Sequence, residues 1–260
     1  MTRRLAWIGG LAGVLVALVF FAPARWLTDR VGAATGGQVQ LVNARGTVWS
    51  GQADLLLTGG EGSRTLASLP QGLQWRLRPT LAGGAPALVL RLAAPCCTPQ
   101  PMALTLVPRL GGAELRVASS RSHWPAELLT GLGTPWNTLR MEGQLALQTG
   151  GLTLRWDQGR TSLQGEASIE AIDLVSRLST LRPLGSYRMD VRADAAGNTT
   201  SLDLQTLRGE LQLQGSGQWV GGRLRFQGVA QAAPDSEAAL ANLLNIVGRR
   251  QGARSLLSIG

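Results

Sequence analysis

The sequence predicts a mainly β protein: an elongated antiparallel meander of one or two sheets, with an N-terminal transmembrane helix and a C-terminal amphipathic helix. Three observations predict it. Short runs of alternating apolar and polar residues, separated by glycine, recur from Leu73 to Ala230, and a two-residue period is that of half-buried strands. An uncharged apolar stretch runs from Leu5 to Ala22. Beyond Ala230 the apolar period changes to that of a helix.

The stretch from Leu5 to Ala22 reads LAWIGGLAGVLVALVFFA, close to the roughly 20 residues that a bilayer core requires. Arg3 and Arg4 precede it and favour a cytoplasmic N-terminus, so the body lies across the membrane. Arg25 and Arg30 follow the run and weaken that asymmetry, with Asp29 as a partial offset. Ala22-Pro23-Ala24 also has the small-x-small pattern of a cleavage site. The run is long for a signal core and a proline sits inside the site, so an uncleaved anchor is the favoured reading. The chain divides into a cytoplasmic tip and anchor (residues 1–24), a first β-rich half (25–120) and a second β-rich half with a C-terminal helix (121–260).

In the first half the strands fall at Leu73 to Leu77, Leu88 to Leu92, Ala103 to Val107 and Glu114 to Val117. In the second, Leu145 to Gln148 and Leu152 to Trp156 flank Gly150-Gly151, which reads as a hairpin with glycines at its turn. Further strands are Thr161 to Ile169, Tyr187 to Ala193, Ser201 to Thr206, Glu210 to Gln214, Gly217 to Val220 and Arg223 to Ala230, with turns at Asn198 and Gly221-Gly222.

Two segments read as helices. Trp124 to Leu132 has Pro125 in a first-turn position. Ser236 to Arg250 can be capped by Asp235 or Ser236, and Leu240, Leu243, Leu244 and Val247 share one face. Arg249 and Arg250 then suit the negative helix end and Gly252 the stop.

The composition narrows the chemistry. Of 260 residues 44% are hydrophobic and 16% charged, too apolar for disorder. The formal charge is +9, carried wholly by arginine because the sequence has no lysine. Arg76 and Arg78, Arg155 and Arg160, Arg188 and Arg192, and Arg223 and Arg225 mostly alternate along strands and so line a solvated sheet face. That spread argues against a nucleic-acid partner, whose phosphates call for clustered cations. His123 is the only histidine, so a histidine triad or a histidine metal site would have to be built around that single residue, and its neighbours Trp124-Pro125 give no help. It reads as a surface or capping residue. The serine of Gly46-Thr47-Val48-Trp49-Ser50-Gly51 lacks nucleophile-elbow spacing, no lysine can complete a phosphate loop, and Asp157, Glu166, Glu170 and Asp173 are scattered. The reading is of a non-enzymatic protein with no cofactor. Cys96 and Cys97 are adjacent and read as two small apolar side chains in a loop, since neighbours seldom meet disulfide geometry. A vicinal disulfide in an oxidising compartment is the alternative.

Gly46-Thr47-Val48-Trp49-Ser50-Gly51, following a membrane span, resembles the tryptophan-serine-glycine motif of the type II secretion system protein N family. Leu73 to Leu77, Pro183 to Tyr187, Gly215 to Trp219, Gly221 to Phe226 and, most distinctively, Asn242 to Arg250 fit as well. The resemblance covers nearly the whole chain. It implies an accessory component of the bacterial inner membrane, single-pass with a periplasmic body, that takes part in export of folded exoproteins across the outer membrane. Its partners would be other secretion components of the inner-membrane platform or pseudopilus. Trp49, Ser50, Gly51 and Trp219 are the candidate interaction or structural residues. Trp49 and Trp219 each end a strand-like run beside glycine, and the favoured reading is an aromatic covering bare backbone. The alternative function is a lipid-binding or lipid-transferring β-groove, suggested by runs apolar on both faces at Ala87 to Leu92 and Ala103 to Val107.

Overall fold

The structure, a computed structural model, describes residues 7, 13, 17, 20–60, 65–194, 199–220 and 223–259. Helix α1 (Ala24–Ala34) leads into β1 (Val39–Gly46), β2 (Ser50–Thr58), β3 (Leu66–Ser68), β4 (Leu73–Ala82), β5 (Ala85–Ala93), β6 (Met102–Arg109), β7 (Gly112–Val117) and β8 (Ser120–Pro125). A 3-10 helix (Ala126–Leu132) and the single-turn α2 (Trp136–Leu139) lead to β9 (Met141–Asp157), β10 (Arg160–Ser176), β11 (Gly185–Ala193), β12 (Thr200–Gly209), β13 (Leu211–Val220) and β14 (Arg223–Ala232). Then come α3 (Glu237–Val247), β15 (Arg249–Gln251) and β16 (Arg254–Ile259).

The strands form one antiparallel sheet in the order β1-β2-β4-β5-β6-β7-β9-β10-β11-β12-β13-β14-β16-β15, with β3 added to β2 and β8 to β9. Hairpins join most neighbours. The sheet passes from the first half to the second where β7 pairs with the C-terminal part of β9 while β8 pairs with its N-terminal part. Thr149 secures this branch point: its hydroxyl accepts the Ser120 amide at 3.1 Å and donates to the Ala118 carbonyl at 3.0 Å.

Cross-strand register gives the sheet two unlike faces. Pro79, Leu88, Leu106, Leu115, Leu154 and Leu163 form one row across six strands, and Ile169, Met189 and Leu204 continue the apolar face in the second half. The neighbouring row on the opposite face reads Arg78, Val89, Thr105, Arg116, Thr153 and Gln164. Alternate residues of a strand point to opposite sides, so the alternation in sequence becomes an apolar and a polar surface.

Short helices cover one end of the apolar face. Leu240, Leu243 and Leu244 of α3 are fully buried against Leu174, Leu184, Tyr187, Leu211 and Ala230. The 3-10 helix brings Leu128 to Ala67, Leu69 and Ala94, and α1 brings Ala24 to Ala53 and Trp75. Towards the hairpin tips the face is left open: Leu81 and Trp156 are exposed there. The accessible surface is 16208 Å², against about 11,000 Å² for a compact monomer of this mass.

Several expectations are corrected. Gly150-Gly151 is not a turn: β9 runs straight through it. At this point Gly165 of β10 has φ +101°, and a Cβ there would stand 1.9 Å from the Gly151 carbonyl oxygen. The glycines let two long strands bend in close contact. Trp124 and Pro125 finish β8, and only Ala126–Leu132 is helical, as 3-10. The C-terminal helix stops at Val247 because Gly248 is extended, and Arg249 and Arg250 pair in β15 rather than facing a helix end. Glu210 to Gln214 and Gly217 to Val220 belong to one strand apart from Glu210 itself.

Most of the expected span at residues 5–22 lies outside the described residues. The described positions within it up to Phe20, namely Trp7, Gly13, Ala17 and Phe20, are helical and exposed. Among the described residues no helix is long and apolar enough to cross a membrane.

Candidate functional site

Thr47 to Trp49 form the turn between β1 and β2, with Gly46 ending β1 and Ser50-Gly51 opening β2. Thr47 and Ser50 close it: the Thr47 amide donates to the Ser50 carbonyl at 2.9 Å, and the Ser50 amide donates to the Thr47 hydroxyl at 3.2 Å. Gly51 lies beneath Trp75 of β4, its register partner. A Cβ at Gly51 would stand 2.5 Å from the indole ring and 2.6 Å from the Arg45 carbonyl oxygen, so no larger residue fits without moving the strand. The buried Trp75 indole N–H donates to the carbonyls of Thr47 and Val48 at 3.2 and 3.1 Å, which satisfies turn backbone that would otherwise be stranded.

The turn also grips the chain that leaves the apolar N-terminal segment. The Val48 amide donates to the Ala22 carbonyl at 2.9 Å, Pro23 bridges to Thr47, and Ala24 packs, 2% exposed, with Ala53 and Trp75. Trp49 is half-buried and its carbonyl accepts the Leu77 amide at 2.7 Å. Ser50 is exposed on the polar face opposite Arg76.

Trp219 lies elsewhere, near the end of β13 and 49% exposed. Eight strands of the sheet order (β4, β5, β6, β7, β9, β10, β11 and β12) separate β13 from β2, so the structure does not bring Trp219 to Trp49, Ser50 and Gly51. The aromatic that covers bare glycine at Gly51 is Trp75, and in the second half it is Phe226, whose ring lies over Gly215. Trp75 was legible only as part of the Leu73 to Leu77 strand. Its partnership with Gly51 depends on register, which no local signal carries.

A second group escaped sequence reasoning. Glu114 on β7 is fully buried and takes Arg116 at 2.5 Å, Arg109 at 2.5 Å and Arg155 at 3.1 Å. Burial alone would raise its carboxyl, yet hydrogen bonds and charge from Arg116 and Arg109 hold it below the usual carboxylate range. The spacing Glu114-x-Arg116 places both on one face of a strand, a signal present in the sequence. The carboxylate is acceptor-only and saturated by guanidinium groups, so it is a structural tie between β6, β7 and β9.

The loop between β5 and β6 corrects the reading of the cysteines. Cys96 and Cys97 are joined as a vicinal disulfide, with Cys96 exposed and Cys97 buried against Ala67, Leu69, Ala94 and Leu128. The tight turn makes this local: the Cys97 amide donates to Ala94 and the Cys97 carbonyl accepts the amide of His123, whose side chain is exposed. Among the described residues no group of three or more histidine, cysteine, aspartate or glutamate side chains could hold a metal ion.

The sheet from β1 to β16 is what a family comparison recognises: residues 37–256 match the family described as type II secretion system (T2SS), protein N. The chain belongs to the type II secretion system protein N family. Comparison with the curated proteins and with the solved structures finds no match. Membership in the protein N family implies a role in type II secretion and interaction with other components of that system. The match takes in the Gly46 to Gly51 segment, Trp75, Glu114 and Trp219, and leaves α1 outside.

Proposed function

We propose that this protein is a non-enzymatic accessory component of type II secretion, held in the inner membrane by residues 5–22 with its sheet in the periplasm. Membership of the protein N family carries the secretion role. The anchored arrangement is supported by the way the chain enters the fold: Ala22, Pro23 and Ala24, the small-x-small site at which a signal peptidase would act, are bonded to or packed on the β1–β2 turn. A protease needs an extended, accessible segment, and this one is occupied. The turn therefore fixes the first edge of the sheet at the membrane surface. The test is deletion of the gene in its host, complemented by the full chain or by the body alone. Exoproteins stranded in the periplasm and rescued only by the anchored form are expected, and normal secretion in the deletion strain would overturn the proposal.

The open apolar face favours a second reading, lipid binding. Its rows of leucine present no hydrogen-bonding group and the sheet backbone beneath is already paired, so an acyl chain suits it. Stoichiometric phospholipid in a solvent extract of the purified full chain is the expected result, and its absence would remove this reading.

A further inference from the structure

Between Asp54 and Glu114 the sequence holds one carboxylate, Glu61, against five arginines: Arg64, Arg76, Arg78, Arg91 and Arg109. The fold gathers Arg76, Arg78 and Arg91 with Arg45 along a recess on the polar face of β1, β2, β4 and β5. Arg76 stands directly opposite Arg91 on one side and Ser50 on the other. Like charges at facing positions of an antiparallel pair destabilise it. Several arginines elsewhere on the sheet are answered by carboxylates: Glu114 takes three, Glu170 takes Arg188 and Asp173 takes Arg208, whereas others, such as Arg223 and Arg225, stand without an ion pair among the described residues. Among the described residues, Arg45, Arg76, Arg78 and Arg91 form no ion pair, and no carboxylate lines the recess. Four unpaired arginines thus meet in one recess that holds no carboxylate.

That place adjoins the anchor. Gly46, Ser50 and Gly51 line the recess and flank the turn whose Val48 amide holds the Ala22 carbonyl, directly after the exposed Phe20 and Phe21. We propose that the four-arginine recess binds the phosphate of an anionic phospholipid headgroup at the surface of the membrane that holds residues 5–22. This rests on the anchored reading given above. A guanidinium fork matches phosphate oxygens in charge and in shape, and a tether beside a basic cluster presents headgroups at high local concentration. Bound phosphate would relieve the Arg76–Arg91 repulsion and hold the β1–β5 end of the sheet against the bilayer.

The test uses the full chain in detergent micelles, with native mass spectrometry of adducts formed from equal amounts of phosphatidylglycerol and phosphatidylcholine. The wild type is compared with Arg76→Gln/Arg91→Gln and with the charge-matched control Arg223→Gln/Arg225→Gln on β14. A preference for phosphatidylglycerol of about tenfold is expected in the wild type and the control, falling to near parity when the recess loses two guanidinium groups. Equal preference in all three proteins overturns the proposal. Full displacement of phosphatidylglycerol by inorganic phosphate also overturns it, in favour of a free anion. So does loss of a crosslink to an acidic secretion component with lipid preference unchanged. Thermal unfolding of the variants controls for misfolding, and removal of facing like charges is expected to leave the midpoint unchanged or raised. Alkaline carbonate extraction of cells separates the two readings: release of the wild type sinks the anchor, whereas retention with no lipid preference sinks the recess alone.

Discussion

The indole of Trp75 covers Gly51 so closely that a Cβ there would stand 2.5 Å from the ring, and the same indole N–H holds the carbonyls of Thr47 and Val48. One aromatic on β4 thus sets the shape of the turn that grips Ala22. Trp75→Ala is expected to cost about 3–5 kcal/mol through the cavity and the stranded carbonyls. Gly51→Ala is expected to cost about 1–3 kcal/mol by overpacking. Thermal unfolding measures both, and increased proteolysis near Ala22 in either variant would report release of the N-terminal chain.

Glu114 is fully buried among half-exposed arginines. Losing its charge by Glu114→Gln is expected to destabilise by about 3 kcal/mol, at the low end for a broken buried pair because solvent screens the arginines. Its folded pKa lies below the ordinary value of 4.5, so the stabilisation is present above about pH 4.5 and is lost as pH falls through the folded pKa. Unfolding midpoints measured down an acid series should fall in the wild type and lose that component in Glu114→Gln.

Tyr187 is the only tyrosine, buried with its hydroxyl donating to the Leu211 carbonyl at 2.9 Å. Burial pushes its phenol well above the ordinary value of 10.0. The sign is opposite to that of Glu114: stability is full below about pH 10 and is lost as pH rises towards the folded pKa. With a single phenol in the chain, ultraviolet phenolate absorbance should appear only with unfolding. Tyr187→Phe should cost about 1 kcal/mol at neutral pH.

Helix α3 is held by one face. Leu244→Ala, at a site with no exposed surface, is expected to cost about 2–5 kcal/mol. Ile246→Ala, on the 39% exposed side, should cost less than about 1 kcal/mol. Equal effects in chemical denaturation would mean that α3 does not pack as described.

The Cys96–Cys97 bond predicts that the unreduced protein resists thiol alkylation and gains two hydrogens in intact mass on reduction. Labelling of either cysteine without reductant would contradict it.

Residue order alone settled the strand texture, the arginine-bearing polar face and the apolar face of α3, because strand alternation and helical spacing are local and each is written within ten residues. The family resemblance of Gly46 to Gly51 was legible for the same reason. Tertiary structure decided what those residues do. Gly51 answers to Trp75 and Glu114 to Arg155 forty-one residues away, pairings fixed by sheet register, which depends on distant strands; Ala22 answers to Val48 through the β1–β2 turn. Gly150-Gly151 became a bend instead of a turn because Gly165 approaches it from the neighbouring strand. Arg249 and Arg250 left their expected helix because β16 offered backbone partners. Local periodicity names the elements; competition for backbone hydrogen bonds and close approach across strands sets where they end and which side chains meet.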